Sequence, residues 1–409
     1  MKHIIIVEDS HIDQLSPITL TRKASQITIA GLTLETLVKE MWKSADVIFQ
    51  SSKKEEPVWK AKDDVLSINA RLVPAVSVFE EVKKYTDKGK MPVKKYPMIE
   101  YPWDVIKWNE EYCAENLVHK AQAMKEVRGL KGVYAGSNVT IDDSVVFDTQ
   151  EGVIILDDDS IVEAFTVLRG PLYIGSKTVV RAGSVIGPKV IAGAQVKVGG
   201  EVAHSIIESF SNKAHIGFLG HSYVGSWVNM GGGSSTSNLK NTYGTVRMQV
   251  GWEKIDTGMQ FLGSIIADYA KTAVNTALYT GKIIGVAASC YGIISENVPS
   301  FTHATPKGKY EFELKSALAM QERMFARRDK EASNEDKHIL RQAFESTNRD
   351  RKAAKVKKKS VEFKFYDCCR DAPPPAGGGA SICDCRVYGR STSDAYHRNR
   401  EYLLSFSSS

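Results

Sequence analysis

Between Ser211 and Gly244 the chain reads SNKAHIGFLGHSYVGSWVNMGGGSSTSNLKNTYG, a segment dense in His, Asn, Lys, Ser and Gly with no room for an ordinary core. His215 and His221 are its candidates for a general base, because imidazole is the side chain whose unperturbed pKa, about 6.5, lies near neutrality. Neither has a carboxylate at close spacing, so no metal site is expected there, and for either histidine a structural role competes evenly with catalysis. Elsewhere, Cys368, Cys369, Cys383 and Cys385 stand as CC and CDC. That is too close for paired ligands of one tetrahedral zinc, and they read as reduced thiols, as do the isolated Cys113 and Cys290. Asp9, Asp13, Asp63 and Asp64 carry the charge to hold magnesium. No glycine loop lies nearby to press a triphosphate against the metal, so solvated loop carboxylates are the preferred reading.

What positions the polar segment is a short repeat. From Ile266 every sixth residue is Ile266, Thr272, Leu278, Ile284 and Cys290; a second register runs through Ile174, Val180 and Ile186, a third through Val133, Val139 and Val145. A period of six fits neither an amphipathic helix nor an alternating strand. It fits a coil with three flat sides, one branched apolar residue pointing inward per side, and small residues at the corners. A β-sandwich with Gly-rich turns would not keep a six-residue step through five positions.

The expected fold class is therefore an α+β N-terminal domain followed by a left-handed parallel β-helix, a C-terminal helical segment and a disordered tail. The boundaries are 1–115 for an α/β domain, 116–132 for a helical linker, 133–305 for the β-helix, 306–348 for the helical segment and 349–409 for the tail. His3 to Val7 has a buried-strand pattern, and Leu32 to Trp42 has helical spacing. The tail holds Pro373 to Pro375 and Gly377 to Gly379, a composition that cannot bury enough surface to fold.

At 409 residues, 43% hydrophobic and 25% charged, the chain has an ordinary globular composition. No run approaches the roughly 18 apolar residues of a membrane span, and the N-terminus lacks a signal-peptide pattern, so a soluble cytoplasmic protein is expected. Residues 351–409 hold 12 Lys and Arg against 6 Asp and Glu, which accounts for the whole net charge of +6. The body is neutral, and no nucleic-acid partner is expected.

The polar segment resembles the acetyltransferase domain of the bifunctional N-acetylglucosamine-1-phosphate uridylyltransferase and glucosamine-1-phosphate acetyltransferase family. The matching residues are Ser211, Lys213, Ala214, His215, Phe218, Leu219, Gly220, Val224, Gly225, Asn229, Gly231, Gly233 and Asn238. Leu15-Ser16-Pro17-Ile18-Thr19-Leu20-Thr21-Arg22 is similar to the opening of a sugar-nucleotidyltransferase branch that pairs a divergent nucleotidyltransferase-like domain with the β-helix.

The resemblance implies acetyl transfer from acetyl-CoA to an amino sugar phosphate or nucleotide sugar. His215 would deprotonate the amine, Arg169 and Lys213 would hold the sugar phosphate, and Asn229 and Asn238 would orient the sugar. Backbone N–H groups of the Gly231 to Gly233 turn would receive the oxyanion, and Lys271 and Lys282 would meet CoA phosphates. It also implies a homotrimer.

Two departures stand out. Phe218 lacks the hydroxyl of the family's Tyr, which alters the sugar contacts. Glu8-Asp9-Ser10-His11-Ile12-Asp13 replaces the glycine-rich loop of the nucleotidyltransferase. Arg22 and Asn69 are candidate remnants of a nucleotide site, with structural roles preferred. The alternative functions are a sugar-1-phosphate nucleotidyltransferase with the β-helix as an oligomerising arm, needing Mg2+, or a non-catalytic regulatory subunit.

Overall fold

A computed structural model describes residues 2–56, 59–62, 64–86, 96–251 and 253–358. The chain opens with strand β1 (His3–Glu8), helix α1 (Leu34–Met41) and strands β2 (Asp46–Ser51), β3 (Trp59–Lys62) and β4 (Val65–Asn69), followed by helices α2 (Val76–Thr86) and α3 (Asp104–Ala121). The sheet order is β2-β1-β4-β3, with β2 and β4 parallel to β1 and β3 antiparallel. The apolar run in β1 fits this central place, because parallel strands are covered on both faces.

From residue 125 the chain winds into a parallel β-solenoid with three faces. Face A is a ten-stranded sheet, face B a five-stranded sheet continued by a three-stranded one, and face C a nine-stranded sheet. Val162, Val180 and Val198 stack in register on face A, eighteen residues per coil. The six-residue step visits the faces in turn: Ile266 lies on C, Thr272 on A, Leu278 on B, Ile284 on C and Cys290 on A, and all five are buried. One coil is interrupted. Between Ser235–Thr236 on face B and Ser264–Ile266 on face C the chain makes an excursion that carries the antiparallel hairpin Arg247–Val250/Glu253–Asp256.

The expected boundary at 115 and the linker after it are corrected. Position 115 falls inside α3, whose Val105, Ile106, Cys113 and Leu117 are fully buried. The helix does not span between units. It packs with the N-terminal sheet in one core that also includes Ile155, Ile191, Ile206, Tyr223 and Ile265 from the outer side of face C. Asn109 bridges the two halves by accepting from the Ala30 N–H and donating to the Lys189 carbonyl, both at 3.0 Å.

Helices α4 (Leu314–Ala326), α5 (Asn334–Ser346) and α6 (Asn348–Ala353) follow the last strands. Their Ala317, Phe325, Leu340 and Ala343 pack along a corner column of the coil that includes Trp227, Tyr269, Ala287 and Phe301, rather than across its end. Order continues past 348, which corrects the start of the expected tail. Arg351 is buried, with Nε on Glu311 at 2.9 Å and Nη1 on Thr347 at 2.9 Å, so its charge is neutralised within the fold. Residues 359–409, with the four tail cysteines, lie outside the described residues, as does Asp63.

Candidate active site

His215 stands exposed at the corner between faces A and B, after strand Asn212–Lys213 and before strand Phe218–Gly220. On the next coil Gly232 lies beside it, so close that a Cβ there would be 3.7 Å from His215 Cβ and Cγ. The turn expected to bind an oxyanion is narrowed by its hydrogen bonds. Gly231 N–H donates to the Thr272 carbonyl and Gly233 N–H to the Ile216 carbonyl, both at 3.1 Å, so neither is available. Among the described residues, the Gly232 N–H is the one in this turn without an internal acceptor.

Lys213 does not reach into solvent, which corrects its expected sugar-phosphate role. Its Nζ donates to the carbonyls of Gly199 (2.8 Å), His215 (2.6 Å) and Gly217 (2.8 Å), using all three protons. Burial pushes its ammonium down to about 8. Lys271 is corrected for the same reason. Its Nζ donates to the Trp227 carbonyl at 2.6 Å and the Tyr269 carbonyl at 3.1 Å, and burial pushes it down to about 7.

Asn229 lies on the outer side of face A, where its Oδ1 accepts from Asn212 Nδ2 at 3.2 Å. Arg169 is not brought to His215 within one chain. It stands level with Gly187, and two further register steps lead through Ala203 to Gly220. At about 4.8 Å per coil that is roughly 14 Å along the axis. Lys282 begins a strand of face C and lines a cleft with Arg247, Lys254, Lys309 and Arg349. Burial, then Lys254, lowers its pKa.

A second polar centre occupies the corner between faces B and C. His204 Nδ1 lies 2.8 Å from Glu110 Oε1, and Lys189 Nζ donates to Glu110 Oε2 at 3.0 Å. The rings of His204 and His221 stack at 4.4 Å and 7°. His221 Nδ1 is 2.9 Å from Asn238 Nδ2, which places Asn238 here rather than beside His215. Burial, then His204, pushes His221 down to about 4, so it is neutral at pH 7. Donor atoms of Glu110, His204 and His221 lie within 4.8 Å of one another. Two parallel stacked rings nevertheless cannot both aim in-plane lone pairs at one ion, so this arrangement is a poor metal site. Glu110 and His204 were missed from sequence because 94 residues separate them, and no local spacing joins them.

In the N-terminal domain Asp9 is buried and accepts from Arg71 Nε (3.0 Å), Arg71 Nη2 (2.9 Å) and Asn69 Nδ2 (2.8 Å). Burial alone would raise its pKa, but these bonds lower it. Arg22 is likewise occupied, with Nη1 on Glu208 at 2.8 Å and Nη2 on Asp268 at 2.6 Å.

Residues 4–95 match the family described as sugar nucleotidyl transferase, so the N-terminal part is a nucleotidyltransferase-like domain. The chain is 27% identical over 192 residues to a bifunctional sugar-1-phosphate nucleotidylyltransferase/acetyltransferase of Sulfurisphaera tokodaii, covering 46% of this chain and 43% of that protein. It is 25% identical over 245 residues to the bifunctional protein GlmU of Methanococcus vannielii, covering 57% and 55%. The chain thus spans about half the length of these curated relatives. Among solved structures it is similar to AntD, an N-acyltransferase from Bacillus cereus in complex with dTDP and 3-hydroxybutyryl-CoA, at 13% identity and TM-score 0.23, covering 48% of this chain and 91% of that one.

Proposed function

We propose that the chain is an acetyltransferase that moves an acetyl group from acetyl-CoA to the amine of a sugar phosphate or nucleotide sugar. The observation that carries this reading is the exposed His215 beside Gly232, whose N–H has no internal acceptor among the described residues. The imidazole takes the proton that the attacking amine must lose, and the N–H receives charge from the thioester oxygen. The sugar-1-phosphate nucleotidylyltransferase and acetyltransferase activities of the Sulfurisphaera relative support the substrate class. Lys282 and the basic residues around it form the candidate contact for CoA phosphates, while Arg169 and Asn229 are candidate sugar contacts.

The reading includes a homotrimer in a cytoplasmic setting. Phe165, Ile216 and Val274 are exposed apolar residues in the corner column that carries His215, with Ile293 on the adjoining face B. A partner coil covering them would also bring residues from a second chain toward His215. Sedimentation at micromolar concentration is expected to give a trimer, and a monomer would remove this part of the reading. Among the described residues no helix is long and apolar enough to cross a membrane.

The test of the activity is incubation with acetyl-CoA and a panel of amino sugar phosphates and nucleotide sugars, following free thiol. His215→Ala is expected to lower turnover by about a hundredfold or more while the melting temperature stays unchanged. The Glu110–His204 pair favours a second assignment of the base, because a carboxylate orients that imidazole as in acid–base dyads. If His204→Ala abolishes transfer and His215→Ala does not, the base is His204.

A further inference from the structure

The inward column of face A runs Val162, Val180, Val198, Lys213, Met230, Thr272, Cys290 and Ala304. An ammonium therefore occupies a place where earlier coils hold valine. Lys213 is only 2% exposed, and among the described residues no charged group offsets its burial. A buried cation without a counter-ion is costly, and valine is demonstrably accommodated one coil away. What the lysine supplies instead is three hydrogen bonds, two of them to the carbonyls on either side of Ile216.

We infer that Lys213 is a positioning residue for His215, holding from inside the coil the loop that carries the imidazole. This rests on the acetyl-transfer reading for its catalytic consequence and on geometry alone for its structural one. In a trans peptide the C=O and N–H point in opposite directions. Drawing the His215 carbonyl onto the buried ammonium turns the Ile216 N–H away from the bore, toward the surface on which His215 lies. Among the described residues that N–H has no internal acceptor. The ammonium thus fixes the backbone of the base and presents a second N–H beside it. The Gly217 carbonyl, held at the same point, also accepts from Glu201 N–H at 3.3 Å, and the Ile216 carbonyl accepts from Gly233 N–H, so the loop is tied to the coils on both sides. Gly200 leaves room for this arrangement: with φ +74°, a Cβ there would lie 2.8 Å from the His215 carbonyl oxygen and 2.9 Å from Lys213 Nζ.

The experiment compares the wild-type chain with Lys213→Met, which matches the apolar column, and with Lys271→Met as a control that removes a half-buried lysine bonded to the Trp227 and Tyr269 carbonyls. Two readouts are taken. Hydrogen exchange at the Glu201 and Gly233 amides is expected to quicken about tenfold or more in Lys213→Met and not in Lys271→Met. Turnover is expected to fall by about a hundredfold in Lys213→Met, with KM for acetyl-CoA nearly unchanged, because misplacing a reacting group costs rate rather than binding. Unchanged exchange overturns the inference whatever the activity. Faster exchange with wild-type turnover overturns it as well. If the wild-type chain transfers acetyl to no acceptor, the acetyl-transfer reading fails separately, and exchange alone decides whether Lys213 holds the loop. Should Lys213→Met not fold, Lys213→Gln, which keeps hydrogen-bond donors without the charge, is measured in the same way. In that variant, exchange and turnover that change together, both kept or both lost, support the inference, and wild-type exchange with lost turnover overturns it.

Discussion

At the scale of residues, the buried Lys213 and the half-buried Lys271 make stability depend on pH in a definite direction. Lys271 sits at about 7 and Lys213 at about 8, both below the ordinary lysine value because burial disfavours the charged form. A group whose folded pKa is depressed contributes stability that is present above its unfolded pKa, about 10.5, and is lost as pH falls through the folded value. Between pH 7 and pH 10 the wild-type melting temperature is therefore expected to rise relative to that of Lys271→Met. Thermal denaturation of both chains across that range checks it, and a constant gap would show that Lys271 titrates alike in both states. Neither lysine's orientation was legible in the sequence. The inward column steps by eighteen from Val162 to Val180 to Val198 and then by fifteen to Lys213, so counting in repeats lost the register just before the site. His215 was legible through the resemblance of its neighbours, whereas Glu110 and His204 meet only because α3 folds back onto a coil corner.

At the scale of elements, the coil was legible because each six-residue step lands on the next face with an inward residue. The role of α3 was not, since its buried residues read as a modest helical stripe that a linker could also carry. One signal was present and passed over. Strands on face C bury consecutive residues, Ile154–Leu156 and Ser264–Ile266, where strands such as Val179–Val180 and Lys197–Val198 bury one of two. Burial on both sides of a strand means that something covers its outer face. That cover is the N-terminal domain, and Leu117 stands at the seam, within 2.9 Å of where a Cβ on Gly31 would lie. Gly31 has φ +80°, so the close approach and the left-handed turn both require glycine there. Leu117→Ala is expected to destabilise the chain by about 3 kcal/mol, within the range for a buried leucine that leaves a cavity. Denaturant unfolding measures this, and a loss near zero would mean the seam collapses onto the gap.

At the scale of the whole molecule, the nucleotidyltransferase-like domain has one of its four candidate carboxylates, Asp9, committed elsewhere. Asp9 is held by Arg71 and Asn69, and Arg22 is clasped by Glu208 and Asp268 of the solenoid. With magnesium, each common nucleoside triphosphate and several sugar 1-phosphates, pyrophosphate release is expected to stay at background. Robust release that disappears in Asp9→Asn or Asp13→Asn would promote nucleotidyl transfer to the leading function. Arg22→Ala removes the guanidinium that neutralises two buried carboxylates and is expected to cost about 3–5 kcal/mol. The shared core also has a consequence for synthesis on the ribosome. The N-terminal sheet and α3 are complete by Ala121, yet their apolar cover includes Ile265. At about 5–20 residues per second, the intervening stretch takes on the order of 7–30 s to emerge. Throughout that interval the nascent domain carries a bare apolar flank, which makes it a natural client for chaperones that bind growing chains.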